Sequence, residues 1–190
     1  MDCWRISALA ACLLIASVSP TLANLVTDPG FESCTSVGGL PPGWTSSNGV
    51  ACVPAGNAHS GSWAAAFIGL PSATLSQSIA TTAGDMYEFS FWLNNDGPPP
   101  NSFTASFGAD QVLDITNVAG TGVYTFEDFT ATAAAASTTI SFAATASAAW
   151  FLDDVSVTPV QVAVPEPASL ALLVTGLLGL AAVRRRRSAN

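Results

Sequence analysis

From Asn24 to Val164 the chain carries eleven carboxylates and no lysine or arginine. They are Asp28, Glu32, Asp85, Glu88, Asp96, Asp110, Asp114, Glu127, Asp128, Asp153 and Asp154. The five basic residues are all arginines, and they sit at the two ends, at Arg5 and at Arg184, Arg185, Arg186 and Arg187. Nucleic acid binding needs cations that neutralise phosphates, and this middle region has none to offer. Anionic substrates and anionic lipid surfaces are disfavoured for the same reason. Neutral sugars, metal cations and apolar partners remain. Catalysis finds no foothold: there is no Gly-x-Ser-x-Gly elbow, no His-Glu-x-x-His and no phosphate loop. His59 is the only histidine, and it stands beside Ser60 in a turn-like segment. Adjacent Asp153 and Asp154 are expected on opposite faces of a strand, so they do not make a catalytic carboxylate pair. No catalytic residue is assigned.

The segments at the two ends explain where such a region would work. Residues 1–23 read as a secretory signal peptide: Arg5 as a weak n-region, Ile6 to Val18 as the apolar h-region, and Thr21-Leu22-Ala23 ahead of cleavage before Asn24. An uncleaved anchor is the alternative, weakened by the short apolar run that stops at Ser19-Pro20. Cys3 and Cys12 leave with the signal, and Cys34 and Cys52 remain. An even pair in an exported chain favours a disulfide, with two buried free thiols as the alternative.

At the other end, Val164-Pro165-Glu166-Pro167 precedes an uncharged run from Ala168 to Val183, then four arginines. The run is 16 residues long. That makes about 24 Å of helix against a hydrocarbon core of about 30 Å. The arginines hold the cytoplasmic side, which places the domain outside. Pro165 and Pro167 keep the backbone before the run extended. This three-part order resembles the PEP-CTERM sorting signal, also catalogued as the ice-binding protein C-terminal domain. The resemblance implies recognition of Pro165, Glu166 and Pro167 by an exosortase and cutting near that motif. It further implies an inner-membrane-anchored precursor, held through the C-terminal transmembrane helix, that is released to the cell surface or extracellular matrix of a Gram-negative bacterium. A simple anchor that is never cut is the alternative.

Between the ends, Asn24 to Thr158 reads as strands and turns. Met86 to Leu93 alternates, with Tyr87, Phe89, Phe91 and Leu93 on one face and Trp92 opposite. Ser102 to Phe107 and Gln111 to Ile115 read as a hairpin around Gly108-Ala109-Asp110. Asn24 to Val26, Ser62 to Ile68, Tyr124 to Ala131, Thr138 to Ala144 and Trp150 to Val157 complete about eight strands. The alanine-rich stretch from Ala131 to Ala149 lacks charged helix formers, and its Thr and Ser content argues for strand. The expected fold is all-β, an antiparallel jelly-roll sandwich, plus an N-terminal signal helix and a C-terminal transmembrane helix.

The order Gly30-Phe31-Glu32, Gly43-Trp44, His59-Ser60-Gly61-Ser62, Gly84-Asp85-Met86 and Phe151-Leu152-Asp153-Asp154-Val155 is similar to galactose-binding-like carbohydrate-binding modules of the CBM4/9 kind. That resemblance implies a structural calcium joining the first strand to the last. Its ligands here would be Glu32, Asp154 and the Ser60 carbonyl, with Asp28 as a spare acid. It also implies pyranose stacking on an exposed aromatic. Of Trp44, Trp63, Trp92, Trp150 and Tyr124, Trp92 is the expected platform, beside the polar Asn94. The expected organisation is a signal peptide (1–23), a sandwich (24–158), a linker (159–164) and a sorting signal (165–190). Two functions follow. One is a non-catalytic surface or matrix protein retained in exopolysaccharide. The other is a carbohydrate-binding module for one neutral glycan.

Overall fold

The computed structural model describes residues 22–47, 49–68, 72–146, 149–161, 175–177, 179, 184 and 185. The expected signal helix and most of the expected transmembrane run lie outside them. The chain divides into two units, 1–159 and 160–190. Among the described residues no helix is long and apolar enough to cross a membrane.

Ten strands make up the first unit: β1 (Thr45–Ser47), β2 (Val50–Pro54), β3 (Trp63–Phe67), β4 (Ala73–Ala80), β5 (Met86–Asn95), β6 (Asn101–Phe107), β7 (Asp110–Thr116), β8 (Thr125–Thr132), β9 (Ser137–Ala146) and β10 (Trp150–Pro159). They form two five-stranded sheets, ordered β1-β4-β9-β6-β7 and β2-β3-β10-β5-β8. All pairings are antiparallel. This is the sandwich the alternation predicts.

Period-two burial carries the argument from sequence to packing. In β5, Tyr87, Phe89, Phe91 and Leu93 point inward. In β6 the inward set is Phe103, Ala105 and Phe107, and in β9 it is Ile140, Phe142 and Ala144. The rings meet between the sheets, with Phe91 edge-on to Phe142 at 5.1 Å and Phe103 at 5.3 Å from Trp150. Each buried ring contributes about 2–3 kcal/mol by area, and each such pair about 0.5–1.5 kcal/mol more. The alanine-rich segment is strand, as its composition predicts. β9 lies between β4 and β6, so both of its backbone edges are paired.

Three strands were not expected, and one expected strand is absent. β1 and β2 are short and largely polar or small, and β4 hides its alternation behind Gln77. That buried amide is satisfied because it clamps one backbone unit, accepting from Thr27 N–H at 2.7 Å and donating to Thr27 C=O at 2.9 Å. Asn24 to Val26 does not form a strand. The Asn24 side chain takes over the edge of β10 instead, donating to Val155 C=O and accepting from Val157 N–H, with Leu25 N–H donating to Val157 C=O.

Cys34 and Cys52 are disulfide-bonded, with Cα atoms 6.3 Å apart. The bond ties the entry loop to β2. Replacing both cysteines with serine is expected to lower stability by about 3 kcal/mol and the melting temperature by about 10 °C. Thermal unfolding of the oxidised protein beside the double variant measures this.

Candidate functional site

The chemistry gathers on the outer face of the second sheet. There β10, β5 and β8 run side by side, which sets Asp153 next to Trp92 and Trp92 next to Phe126. The next pair along the same face is Phe151 and Asn94. The β2–β3 connection, with a short 3-10 turn at Ala55–Asn57, folds back over this face. It is held by Asp153, which is fully buried. Asp153 Oδ2 accepts from His59 N–H at 2.8 Å and Ser60 N–H at 3.1 Å, and Oδ1 accepts from Asp154 N–H at 2.8 Å. Burial pushes the Asp153 carboxyl up to about 6, and the Asp154 charge adds to the rise, while the three N–H donors pull the other way.

The expectation that Asp153 and Asp154 face opposite ways is overturned. The β10–β5 register shifts between Asp153 and Ser156, and Asp154 adopts φ 48°. A left-handed residue in a bulge turns the next side chain back toward the first. Both carboxylates therefore meet the same loop. Asp154 Oδ1 accepts from Ser60 Oγ–H at 2.7 Å, and Asp154 Oδ2 lies 2.7 Å from His59 Nδ1.

The His59 ring lies flat on Trp92, with centroids 3.8 Å apart and planes at 13°. It is edge-on to Tyr124 at 5.3 Å. The Tyr124 hydroxyl donates to Asn57 C=O at 2.6 Å. Burial raises its pKa, and the charges of Asp153 and Asp154 raise it further. Phe126 stands 5.3 Å from Trp92 and is 52% exposed. Trp92 itself is half-buried. Asn94 is 8% exposed, and its Oδ1 has no hydrogen-bond partner among the described residues.

Of the residues proposed as calcium ligands, Glu32, Ser60 and Asp154 come together around Gly30 and Gly61. A Cβ on Gly30 would lie 3.4 Å from Asp154 Oδ1 and 3.7 Å from Asp153 Oδ1. A Cβ on Gly61 would strike the Glu32 carboxylate, and φ is +63° there, so glycine is required. Glu32 Oε1 accepts from Ser62 N–H and Trp63 N–H at 2.7 and 2.9 Å. Asp28 turns to Ser33 N–H through Oδ1, while its Oδ2 is buried without a partner among the described residues. The oxygen chemistry fits calcium, and no Lys or Arg competes for these acids. Glu32 Oε1 and Asp154 Oδ1 nevertheless already accept from protein donors, and no three His, Cys, Asp or Glu side chains form a metal-holding group among the described residues.

Among the other candidate aromatics, Trp44 and Trp150 are buried and Trp63 packs partly against the core. Tyr124 was among the candidate aromatics and His59 was in the candidate calcium loop, but the stacking of His59 on Trp92, the anchoring by Asp153 and the Tyr124–Asn57 bond were not foreseen. The doublet Asp153-Asp154 inside an apolar strand was the available signal, since a buried acid must find donors.

In the sequence Pro165-Glu166-Pro167 stands ahead of the uncharged run and the arginine cluster, and these three residues, with Arg186 and Arg187, lie outside the described residues. Residues 163–187 match the PEP-CTERM protein-sorting motif. The motif marks an exported, membrane-anchored precursor. No curated protein matches the chain. Among solved structures the sandwich is similar to TmCBM61 in complex with beta-1,4-galactotriose, at 21% identity and a TM-score of 0.56, over 73% of this chain and 99% of that one. It is also similar to the CBM22-1 xylan-binding domain of Paenibacillus barcinonensis Xyn10C, at 18% identity and a TM-score of 0.52, over 77% and 100%. A cyclase from Fischerella sp. TAU has a TM-score of 0.55 at 15% identity, over 72% and 98%. Likeness at these identities establishes a shared sandwich fold.

Proposed function

We propose that this is an exported, exosortase-processed protein whose sandwich, once released, binds a neutral glycan within the exopolysaccharide around the cell. The observation that carries the reading is the grouping of Trp92 and Phe126 on one sheet face, with Asn94 beside them and Tyr124 edge-on to the His59 ring that lies on Trp92. Aromatic rings supply a stacking surface, and amide and carboxylate oxygens accept from hydroxyls. The absence of any Lys or Arg from this region favours neutral sugars over anionic ones. The likeness to carbohydrate-binding modules supports the reading, and no enzymatic activity is proposed.

The test is affinity electrophoresis of the processed protein through gels containing neutral or acidic polysaccharides. The wild type is expected to be retarded by a neutral polymer and not by an acidic one. Trp92→Ala is expected to bind about tenfold more weakly, the equivalent of about 1.4 kcal/mol. Retardation that is unchanged in Trp92→Ala would contradict the assignment of this face.

Calcium is part of the same proposal. Glu32, Asp154 and Ser60 would hold it, tying the entry loop to β10, with the Ser60 hydroxyl giving up its bond to Asp154 Oδ1 and His59 keeping Asp154 Oδ2. Added calcium is expected to raise the melting temperature and EDTA to lower it, through preferential binding to the folded state. No shift with either reagent would remove the metal from the account.

A further inference from the structure

Resting on the glycan reading, we propose that His59 is a built-in plug on the Trp92 stacking face, and that a pyranose ring of a neutral glycan binds by displacing it. The imidazole already occupies the place a stacked ring would take, parallel to the indole within 13° at 3.8 Å. The loop's anchorage does not depend on that ring. Its backbone is fixed to Asp153 through His59 N–H and Ser60 N–H, while the ring is held by Asp154 Oδ2 and by its contacts with Trp92 and Tyr124. A rotation about the His59 side-chain torsions therefore clears Trp92 and leaves the loop in place.

What the rotation exposes defines the ligand. Trp92 offers its face, and Asp154 Oδ2 loses its partner. Asn94 lies on the same face, two positions along β5, with a buried Oδ1 that no group in the described structure satisfies. These are acceptors around an aromatic floor, in a region with no lysine or arginine. The complement is a flat, uncharged ring bearing hydroxyl donors, not an anion and not a purely apolar group. The Asn94 oxygen, unpartnered among the described residues, is the second, independent sign of a missing partner, because a buried acceptor left unpaired is costly.

The plug reduces apparent affinity by the fraction of molecules in which it is closed. With a stack on Trp92, an edge contact with Tyr124 and one hydrogen bond holding it, that factor is about three- to tenfold. The experiment compares wild type, His59→Ala, His59→Phe and Trp92→Phe, all processed and oxidised, using soluble xylan and galactan as probes. Acrylamide quenching of tryptophan fluorescence is measured alongside. His59→Ala is expected to bind about three- to tenfold more tightly and to quench more strongly, with the added quenching lost when Trp92→Phe is combined with it. His59→Phe keeps a flat ring on Trp92 and is expected to hold affinity at or below wild type.

Equal behaviour of the Ala and Phe variants would overturn the plug, because the effect would then come from the lost Asp154 bond. Wild-type binding that depends on Trp92 but is not tightened in His59→Ala would also overturn it while leaving the glycan reading intact. Increased quenching in His59→Ala with no variant binding either polymer would overturn the sugar as occupant, and with it the glycan reading.

Discussion

Replacing Glu166 with alanine, or Pro165 and Pro167 together, is expected to leave the precursor uncut in the membrane and to empty the extracellular fraction. The effect is expected to be close to all-or-none because, on this proposal, the tail must first anchor the chain and then be cut. As a helix its 16 uncharged residues would span about 24 Å, short of a core of about 30 Å, so they would hold the chain only with help from flanking arginines. Pro165 and Pro167 disfavour helix there and favour an extended backbone around Glu166, the form that cutting by an exosortase would require. Fractionation followed by intact mass analysis reads the outcome. Normal release of the Glu166 variant at an unchanged cut site would contradict the role given to the motif.

Asp153→Ala is expected to have the largest effect on the sandwich itself, a loss of about 2–4 kcal/mol, because it strands three amides at once. Asp153 joins β10 to the loop that carries His59 and to the bulge that aims Asp154. Its loss should also free Trp92, so unfolding midpoint and tryptophan quenching move together. The titration of Asp153 gives this a pH signature. Its carboxyl is raised from 3.8 to about 6 by burial. The native state therefore holds a proton through that window that the unfolded chain has lost. Stability falls as pH rises from about 4 to about 6 and levels off above, a change of up to about 3 kcal/mol. Denaturant midpoints in EDTA across that range should show the slope in wild type and not in Asp153→Asn.

How far the sequence revealed this molecule depended on how local each feature was. The Tyr87, Phe89, Phe91, Leu93 alternation declares β5 by itself, and it placed Trp92 on the outer face correctly. The alanine-rich β9 was legible from what it lacks, charged helix formers. β1 was not, because Thr45-Ser46-Ser47 has no apolar period, and β4 was masked by a glutamine whose partner is the distant Thr27. The site was only half legible. Trp92 and Asn94 follow from one strand's pattern, but the cover on Trp92 comes from a loop far away in sequence. The convergence of Asp153 and Asp154 depends on a left-handed bulge residue that is not glycine, and no local preference of aspartate in a strand announces it.

The most direct check of the proposed glycan binding is where the native protein resides in its host when exopolysaccharide synthesis is deleted. The account expects the processed sandwich to be matrix-bound in the parent and free in the medium of the deletion strain. An identical distribution in both strains would contradict it.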